Sequence, residues 1–479
     1  MGNFIDAIGA GKTAFWNELT DHEADAGITA SDKLIQTWYD IYRGRPSWQD
    51  YTFIGVKGRK QTRQRKIMNA GKFVCQELCS LIWTERPQIK APNGIINFLN
   101  DNKFFKNSEE YSEYGAALGG YVYKLYADDN GLHIDYIKAD RFIPRTWNSG
   151  TITEADFVSD FVYKNKVYKM VEEHRQPEIG IITVTKKLYY PDGGQMRPVK
   201  AASIGLSEEP VIINSPVPLF AYVRYPVANN LQPDTPLGIS MYANAPDTLE
   251  TLDIAFDNLQ HEIETSRRKI ILPAEMVESY FDPNLGKDKL RYNPDEETYV
   301  AFNNADMKNM EPIPIDFSLR VTDITASIQT ALNILSIQVG FSAGYLTFDA
   351  AAQAVTATQV ISEQSKTFKT KVKYENAIDD GIRTLLTAIQ SIGSMYGMDD
   401  ISGKFDIQWN DNIIEDRNSK TDYWIKRYQS KICTLEDVLM HVDDLSEDDA
   451  AKKAIEINKQ NATIPSLSDI MGGTGNEIV

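Results

Sequence analysis

The chain has 479 residues and a mass of 54.1 kDa, enough for about three domains at roughly 150 residues each. Apolar residues make 42% of it, with 7 Trp, 24 Tyr and 19 Phe, which excludes a disordered chain. Fifty Lys and Arg against 67 Asp and Glu leave a net charge of −17, which excludes affinity for nucleic acid built mainly on phosphate neutralisation.

In chain order, residues 1–110 read as mostly helical. The start, MGNFIDAIGAGKTAFW, has neither a basic leader nor a small-residue cleavage site, and no apolar run reaches the ~18 residues of a membrane span. Three cysteines exclude a disulfide framework, so the expectation is a protein assembled in a reducing cytoplasm, with no membrane partner. A basic cluster, Lys57, Arg59, Lys60, Arg63, Arg65 and Lys66, interrupts the acidic background. It reads either as a solvated helix face or a contact with an acidic neighbour, or as a local nucleic-acid contact. Helical spacing follows from Phe73 to Ile82, ended by Pro87, and again from Glu109 to a Gly119-Gly120 stop.

From Tyr121 the period changes to two. Tyr121–Tyr126 and Leu132–Ile137 flank Asp128-Asp129-Asn130-Gly131, a hairpin signal. Strand-like segments continue through Phe157–Val171 and Ile179–Tyr190, with a turn at Pro191–Gly194, so 121–225 reads as β-rich.

After Pro246, Leu249, Leu252, Phe256, Leu259 and Ile263 form one apolar seam, running into Arg267-Arg268-Lys269 where a helix C-terminus favours cations. Residues 270–320 read as short strands and turns rich in Pro and Asn. A second seam, Ile324, Ile328, Ala331, Leu335 and Val339, runs to Gly340. Residues 341–355 read as a loop, Thr356–Tyr396 as a long helix, and Phe405–Trp409 as a strand. The stretch from Thr434 on holds ten acids and three lysines and reads as helices with a frayed end. The fold class expected is α+β.

Catalytic signatures fail on their spacing. Gly11-Lys12-Thr13 lacks the first glycine of a phosphate loop, since Asp6 stands there, and no strand precedes it. His261-Glu262 would need a second His at Thr265 to hold zinc. Cys75 and Cys79 lie one helical turn apart with no second ligand pair, and Asp282-Pro283-Asn284-Leu285-Gly286 lacks the closing Glu of a calcium loop. The expectation is no enzyme, no cofactor and no metal.

Three strings carry a family resemblance: 115–144 (GAALGGYVYKLYADDNGLHIDYIKADRFIP), 236–264 (PLGISMYANAPDTLETLDIAFDNLQHEIE) and 344–371 (GYLTFDAAAQAVTATQVISEQSKTFKTK). With the order helix, β insertion, helix, loop, long helix, the chain resembles the portal proteins of siphophages of Gram-positive hosts over roughly 30–450. The resemblance implies a ring of about twelve copies at one capsid vertex. That ring would be the channel for DNA packaging and ejection, carried in the virion. Its partners would be the terminase large subunit, a head–tail adaptor, the major capsid and scaffolding proteins, and double-stranded DNA in the channel.

Carried onto this sequence, 1–240 and 356–429 would be the wing, 241–269 and 321–341 the stem helices, 270–320 a small α/β clip, 342–355 the tunnel loop, and 430–479 the crown. Tyr345, Thr347, Phe348, Asp349, Ala351 and Gln353 would face DNA from the tunnel loop. Glu264, Arg267, Arg268 and Lys269 would line the stem or touch DNA locally, although helix capping explains the three cations equally. Asp282, Lys287, Asp295, Glu296 and Glu297 would form the clip docking surface. A different head–tail connector or capsid component is the alternative, separated by copy number and a through-channel.

Overall fold

A computed structural model describes residues 26–54, 58–192, 195–205, 207, 209–265, 319–347, 357–409, 417–443, 445 and 447–463. Between 269 and 315 it also describes five short strands, by their backbone pairing. The chain contains both helices and sheets, as the α+β expectation has it. The chain divides into two compact units.

The larger unit opens with helix α1 (Ala26–Tyr42), whose Ile35, Trp38 and Ile41 are buried. A two-stranded antiparallel ribbon follows, β1 (Asp50–Ile54) and β2 (Lys60–Gln64). The sequence reads this stretch as helical, and the ribbon corrects that: Tyr-Thr-Phe-Ile and the alternating Gln-Thr-Arg-Gln suit an extended backbone. Helix α2 (Ala70–Trp83) buries Val74, Cys75, Leu78, Cys79 and Ile82. After β3 (Gln88–Lys90) come α3 (Asn93–Asp101) and α4 (Phe104–Leu118). Helix α4 stops at Gly119, whose φ of 91° is the left-handed cap that L side chains disfavour.

Strands β4 (Gly120–Asp128) and β5 (Gly131–Lys138) form the expected hairpin around Asp129-Asn130, and the Asn130 N–H donates to Asp128 Oδ1 at 2.8 Å. Four longer strands build a meander: β6 (Phe142–Asn148), β7 (Thr151–Tyr163), β8 (Lys166–Glu178) and β9 (Ile181–Asp192). The sequence reading runs Phe157–Val171 as one stretch, whereas the chain reverses inside it. Lys164 and Asn165 take φ of 46° and 61°, the conformation of a primed two-residue turn made without glycine. β10 (Gln195–Val199) and β11 (Val211–Asn214) both pair with β9, and β12 (Phe220–Arg224) joins the other sheet in the order β12-β4-β5.

Helix α5 (Pro246–Thr265) comes next. It is followed by β13 (Lys269–Pro273), β14 (Ser279–Asp282), β15 (Lys287–Leu290), β16 (Tyr299–Phe302) and β17 (Ile313–Ile315). These make one three-stranded sheet ordered β16-β13-β17 and one hairpin, β14–β15; among the described residues of this insertion there are strands and no helix. Helix α6 (Val321–Gln338) packs back on α5. Helix α7 (Ala357–Ile392) buries Ile378, Ile382, Leu385, Leu386 and Ile389 in the main core, and β18 (Asp406–Gln408) pairs with β3.

The smaller unit holds α8 (Arg417–Gln429), α9 (Leu435–Val442) and α10 (Glu447–Thr463). Its core is small: Leu439, Ala450 and Ala454. Helix α9 begins with a capping box in which Thr434 and Asp437 satisfy each other's backbone N–H groups.

Candidate functional site: the paired helices and their flanks

Each helix of the α5–α6 pair buries its seam unevenly. On α5, Leu249 and Leu252 are buried, Phe256 and Leu259 are half-buried, and Ile263 is 57% exposed. On α6, Ile328, Ala331, Leu335 and Val339 are buried, while Ile334 and Ile337 stand out on the opposite side at 47% and 52% exposed. The pair therefore leaves its core at the end that carries the strand insertion. There Arg320, just before α6, grips Glu262 of α5: its guanidinium donates to Glu262 Oε2 at 2.9 Å and its backbone N–H to Oε1 at 3.3 Å. The guanidinium and the backbone donor hold the Glu262 carboxyl below the usual range.

The middle of α5 is anchored by two buried carboxylates that its apolar seam did not reveal. Asp253 accepts from Trp48 Nε1 and from the Met68 N–H, each at 2.9 Å. Asp257 accepts from the Lys66 N–H at 2.9 Å and pairs with Arg63 at 3.1 Å. Burial raises the Asp253 pKa, and its donors work against that rise. Their sequence signal was the i, i+4 spacing of Asp253 and Asp257 beside the seam, which put two acids on one side of the helix.

These anchors decide what the basic cluster is. Arg63 and Arg65 pair with Asp257 and Glu250 of the same chain, and Arg65 also donates to the Trp48 carbonyl. The reading of the cluster as a helix face is thus corrected: its C-terminal half straps the β1–β2 ribbon to α5. Arg59 and Lys60 are exposed at the ribbon's turn, and Lys57 lies outside the described residues.

The loop after α6 is folded back for its first seven residues. Phe341 and Leu346 are buried, Ser342 exchanges hydrogen bonds with Thr367 of α7, and the Leu346 N–H donates to Ser336 Oγ at 3.2 Å. Tyr345 does not stand free as expected of a channel loop: its hydroxyl donates to Glu77 Oε1 at 2.7 Å and its ring lies against Phe341. Thr347 is exposed, its hydroxyl 3.3 Å from Gln329 Oε1. Phe348, Asp349, Ala351 and Gln353 lie outside the described residues.

Glu264 is exposed in the last turn of α5. Lys269 is the first residue of β13, while Arg267 and Arg268 lie outside the described residues. Asp282 and Lys287 fall opposite each other in the β14–β15 register; Asp295, Glu296 and Glu297 lie outside the described residues. Cys75 and Cys79 are fully buried, which pushes both thiols well up. Gly11-Lys12-Thr13 lies outside the described residues. Among the described residues no group of three His, Cys, Asp or Glu is placed to hold a metal, and no helix is long and apolar enough to cross a membrane.

One buried polar cluster had no motif to announce it. Lys124 of β4 reaches across to Glu172 of β8 at 3.1 Å, and His174 Nε2 lies 2.8 Å from the same carboxylate oxygen. All three are under a tenth exposed, so this clamp ties the two sheets together through their cores.

A family described as "Phage portal protein, SPP1 Gp6-like" matches residues 21–464. No curated protein matches the chain. Among solved structures, a chain from the virion of a native gene transfer agent particle is 9% identical. It aligns over 78% of this chain and 89% of that one with a TM-score of 0.40.

Proposed function

Since this chain belongs to the SPP1 Gp6-like phage portal protein family, a family of structural proteins rather than enzymes, we propose that it forms a ring of about twelve copies at one capsid vertex. DNA enters and leaves the head through that ring. The observation that carries the reading is the extent of the family match, which spans every described element. The α5–α6 pair would be the stem, and the five strands between them the clip on which the terminase motor and later the head–tail adaptor dock. Capsid and scaffolding proteins would meet the outer body.

Exposed Ile263, Ile334 and Ile337 support this reading, because a ring covers both flanks of a helix pair that one chain leaves bare. So does the charge. About twelve copies at −17 sum to roughly −200, which opposes gripping of DNA phosphates and favours sliding.

Removing 348–353 tests the channel role. Since 341–347 are held by α6, α7 and Glu77, the excision leaves their packing in place. Rings are expected to assemble normally while DNA-filled heads fall at least tenfold in an infection assay. Wild-type numbers of filled heads would remove the loop from the mechanism. Charge reversal at Asp295, Glu296 and Glu297 is expected to weaken motor or adaptor docking with rings intact; collapsed rings with normal docking would relocate the clip.

A further inference from the structure

Strand β12 is the outer strand of the order β12-β4-β5, yet Phe220, Ala221 and Val223 are only 3%, 2% and 0% exposed. The Leu219 carbonyl accepts from the Leu125 N–H at 2.8 Å, and the Tyr225 N–H donates to the Gly119 carbonyl at 3.2 Å. With the antiparallel register between these two bonds, the odd-numbered residues turn their backbone groups towards β4. Phe220, Tyr222 and Arg224 therefore turn theirs outward. Their three N–H and three C=O groups have no backbone partner among the described residues. A sheet edge set this far into the protein calls for polar partners.

A groove of about 680 Å³ is lined by this strand. One wall is the β6–β7 turn at Ser149-Gly150, and the other is α7, with Lys373, Asn376, Asp380 and Thr384. Helix α7 runs antiparallel to β12. The Tyr374 and Tyr225 rings pack at 4.8 Å, Gly381 abuts Val223, and Ser391 Oγ lies 2.9 Å from Ser215 Oγ. Lys373 thus stands at the Arg224 end of the groove, with Asp380 about two helical turns further along. The half-buried Arg224 guanidinium and the Lys373 ammonium have no hydrogen-bond or ion-pair partner among the described residues. One end of the groove is therefore cationic and unsatisfied.

We propose that this groove takes an extended, acidic segment of a partner protein, which adds to β12 as a further strand. The segment's backbone meets the outward N–H and C=O groups, and a carboxylate on it pairs with Arg224 and Lys373. Two other occupants fit less well. DNA phosphates only accept hydrogen bonds, so they leave the three outward carbonyls without donors. The exposed strand pair that a second copy offers is the β1–β2 ribbon, whose Arg59 and Lys60 would bring cations towards cations. One chain builds the whole groove, so the proposal stands apart from the ring reading.

The probe is a fluorescent peptide, Thr-Val-Thr-Val-Thr-Glu, beside its counterpart ending in Lys, each in both residue orders. Binding to the purified full chain is read by anisotropy. The glutamate form is expected to bind at least tenfold tighter than the lysine form. An added strand uses one of its two edges, so N-methylation of one alternate set of residues should abolish binding and of the other set should spare it. Arg224→Glu with Lys373→Glu should reverse the preference between the two peptides. Asn376→Trp, an exposed change on the α7 wall, should abolish binding with the unfolding temperature unchanged. No binding up to about 1 mM peptide, or binding indifferent to charge and to N-methylation, would overturn the proposal. Peptide taken up by single chains but shut out of assembled rings would seat a second copy there, and the partner-protein reading would fall. Duplex DNA that displaces the glutamate peptide would assign the cations to phosphate, with the same result.

Discussion

Gly238→Ala should be among the most damaging single substitutions in the chain. A Cβ built there would lie 2.1 Å from the Gly119 carbonyl oxygen and 3.1 Å from its carbonyl carbon. From the other side, a Cβ on Gly119 would meet the Gly238 carbonyl at 2.5 Å and the Ile239 nitrogen at 2.6 Å. Each obstacle is backbone, so no side-chain end can swing away. The backbones are also bonded where they pass: the Tyr225 N–H donates to the Gly119 carbonyl at 3.2 Å, and the Met241 N–H to the Ala116 carbonyl at 2.9 Å. Adding a methyl must part the end of α4 from the segment leading into α5. Overpacking of this kind costs about 3 kcal/mol or more, enough to cut soluble yield and lower Tm markedly.

Gly119→Ala should be worse, since it adds strain at φ 91° to the same clash. Gly180→Ala is the control: φ is 87° but nothing lies within 4 Å of its Cβ, so the loss should be only about 1 kcal/mol. A Gly238→Ala protein that melts with the wild type would show that the two backbones do not meet as described.

Lys124→Met should be nearly as severe, for an electrostatic reason. Burial alone would raise the Glu172 pKa, but the hydrogen bond from His174 and the nearby Lys124 ammonium outweigh it and hold the carboxyl at about 2. Burial pushes His174 down despite its bond to Glu172, so at neutral pH the ring is uncharged and Nε2 carries the proton it donates. The other charges near the site are Asp135, 3.5 Å from Lys124, Lys186, 4.0 Å from Glu172, and Arg175, which also disfavours a charged His174. Removing Lys124 takes the closest cation from the buried Glu172 carboxylate and leaves it the His174 donor and Lys186 at 4.0 Å, a loss of about 3 kcal/mol at pH 7.

Both titrations carry the same sign. Glu172 stabilises fully above 4.5 and loses that contribution as pH falls from 4.5 towards about 2. His174 stabilises above 6.5, its ordinary value, and loses ground below it as the unfolded imidazole takes a proton. Wild-type stability should therefore decline with acid from about pH 6.5 and fall further below 4.5. Lys124→Met should flatten the lower limb, because the ammonium that helps hold the Glu172 carboxyl down is gone. Denaturant titrations at pH 7 and pH 4 measure both. Equal stability of wild type and variant at pH 7 would contradict the clamp.

How far the residues announced their own arrangement depended on whether the signal was periodic. The two seams, the Asp129-Asn130 hairpin and the long helix to Ile392 each rest on repeated spacing, and each stands where the pattern puts it. The Lys164-Asn165 turn was illegible because its positive-φ residues are not glycines. The ribbon at 50–64 was illegible because a basic run says nothing of period, and its real partners, Asp257 and Glu250, lie almost two hundred residues on. The clamp of Lys124, Glu172 and His174 shows the same limit: three common residue types become one unit only when two sheets meet. Tyr345 sits in a string that resembles a channel loop, yet its hydroxyl is bonded to Glu77, a contact between positions 268 apart that no local pattern encodes.

Electron-microscopic class averages of the purified full chain are the most direct test of the portal reading. Closed rings of about twelve subunits around an open channel wide enough for duplex DNA are expected. Monomers, or compact dimers without a channel, would leave Ile263, Ile334 and Ile337 uncovered and contradict it.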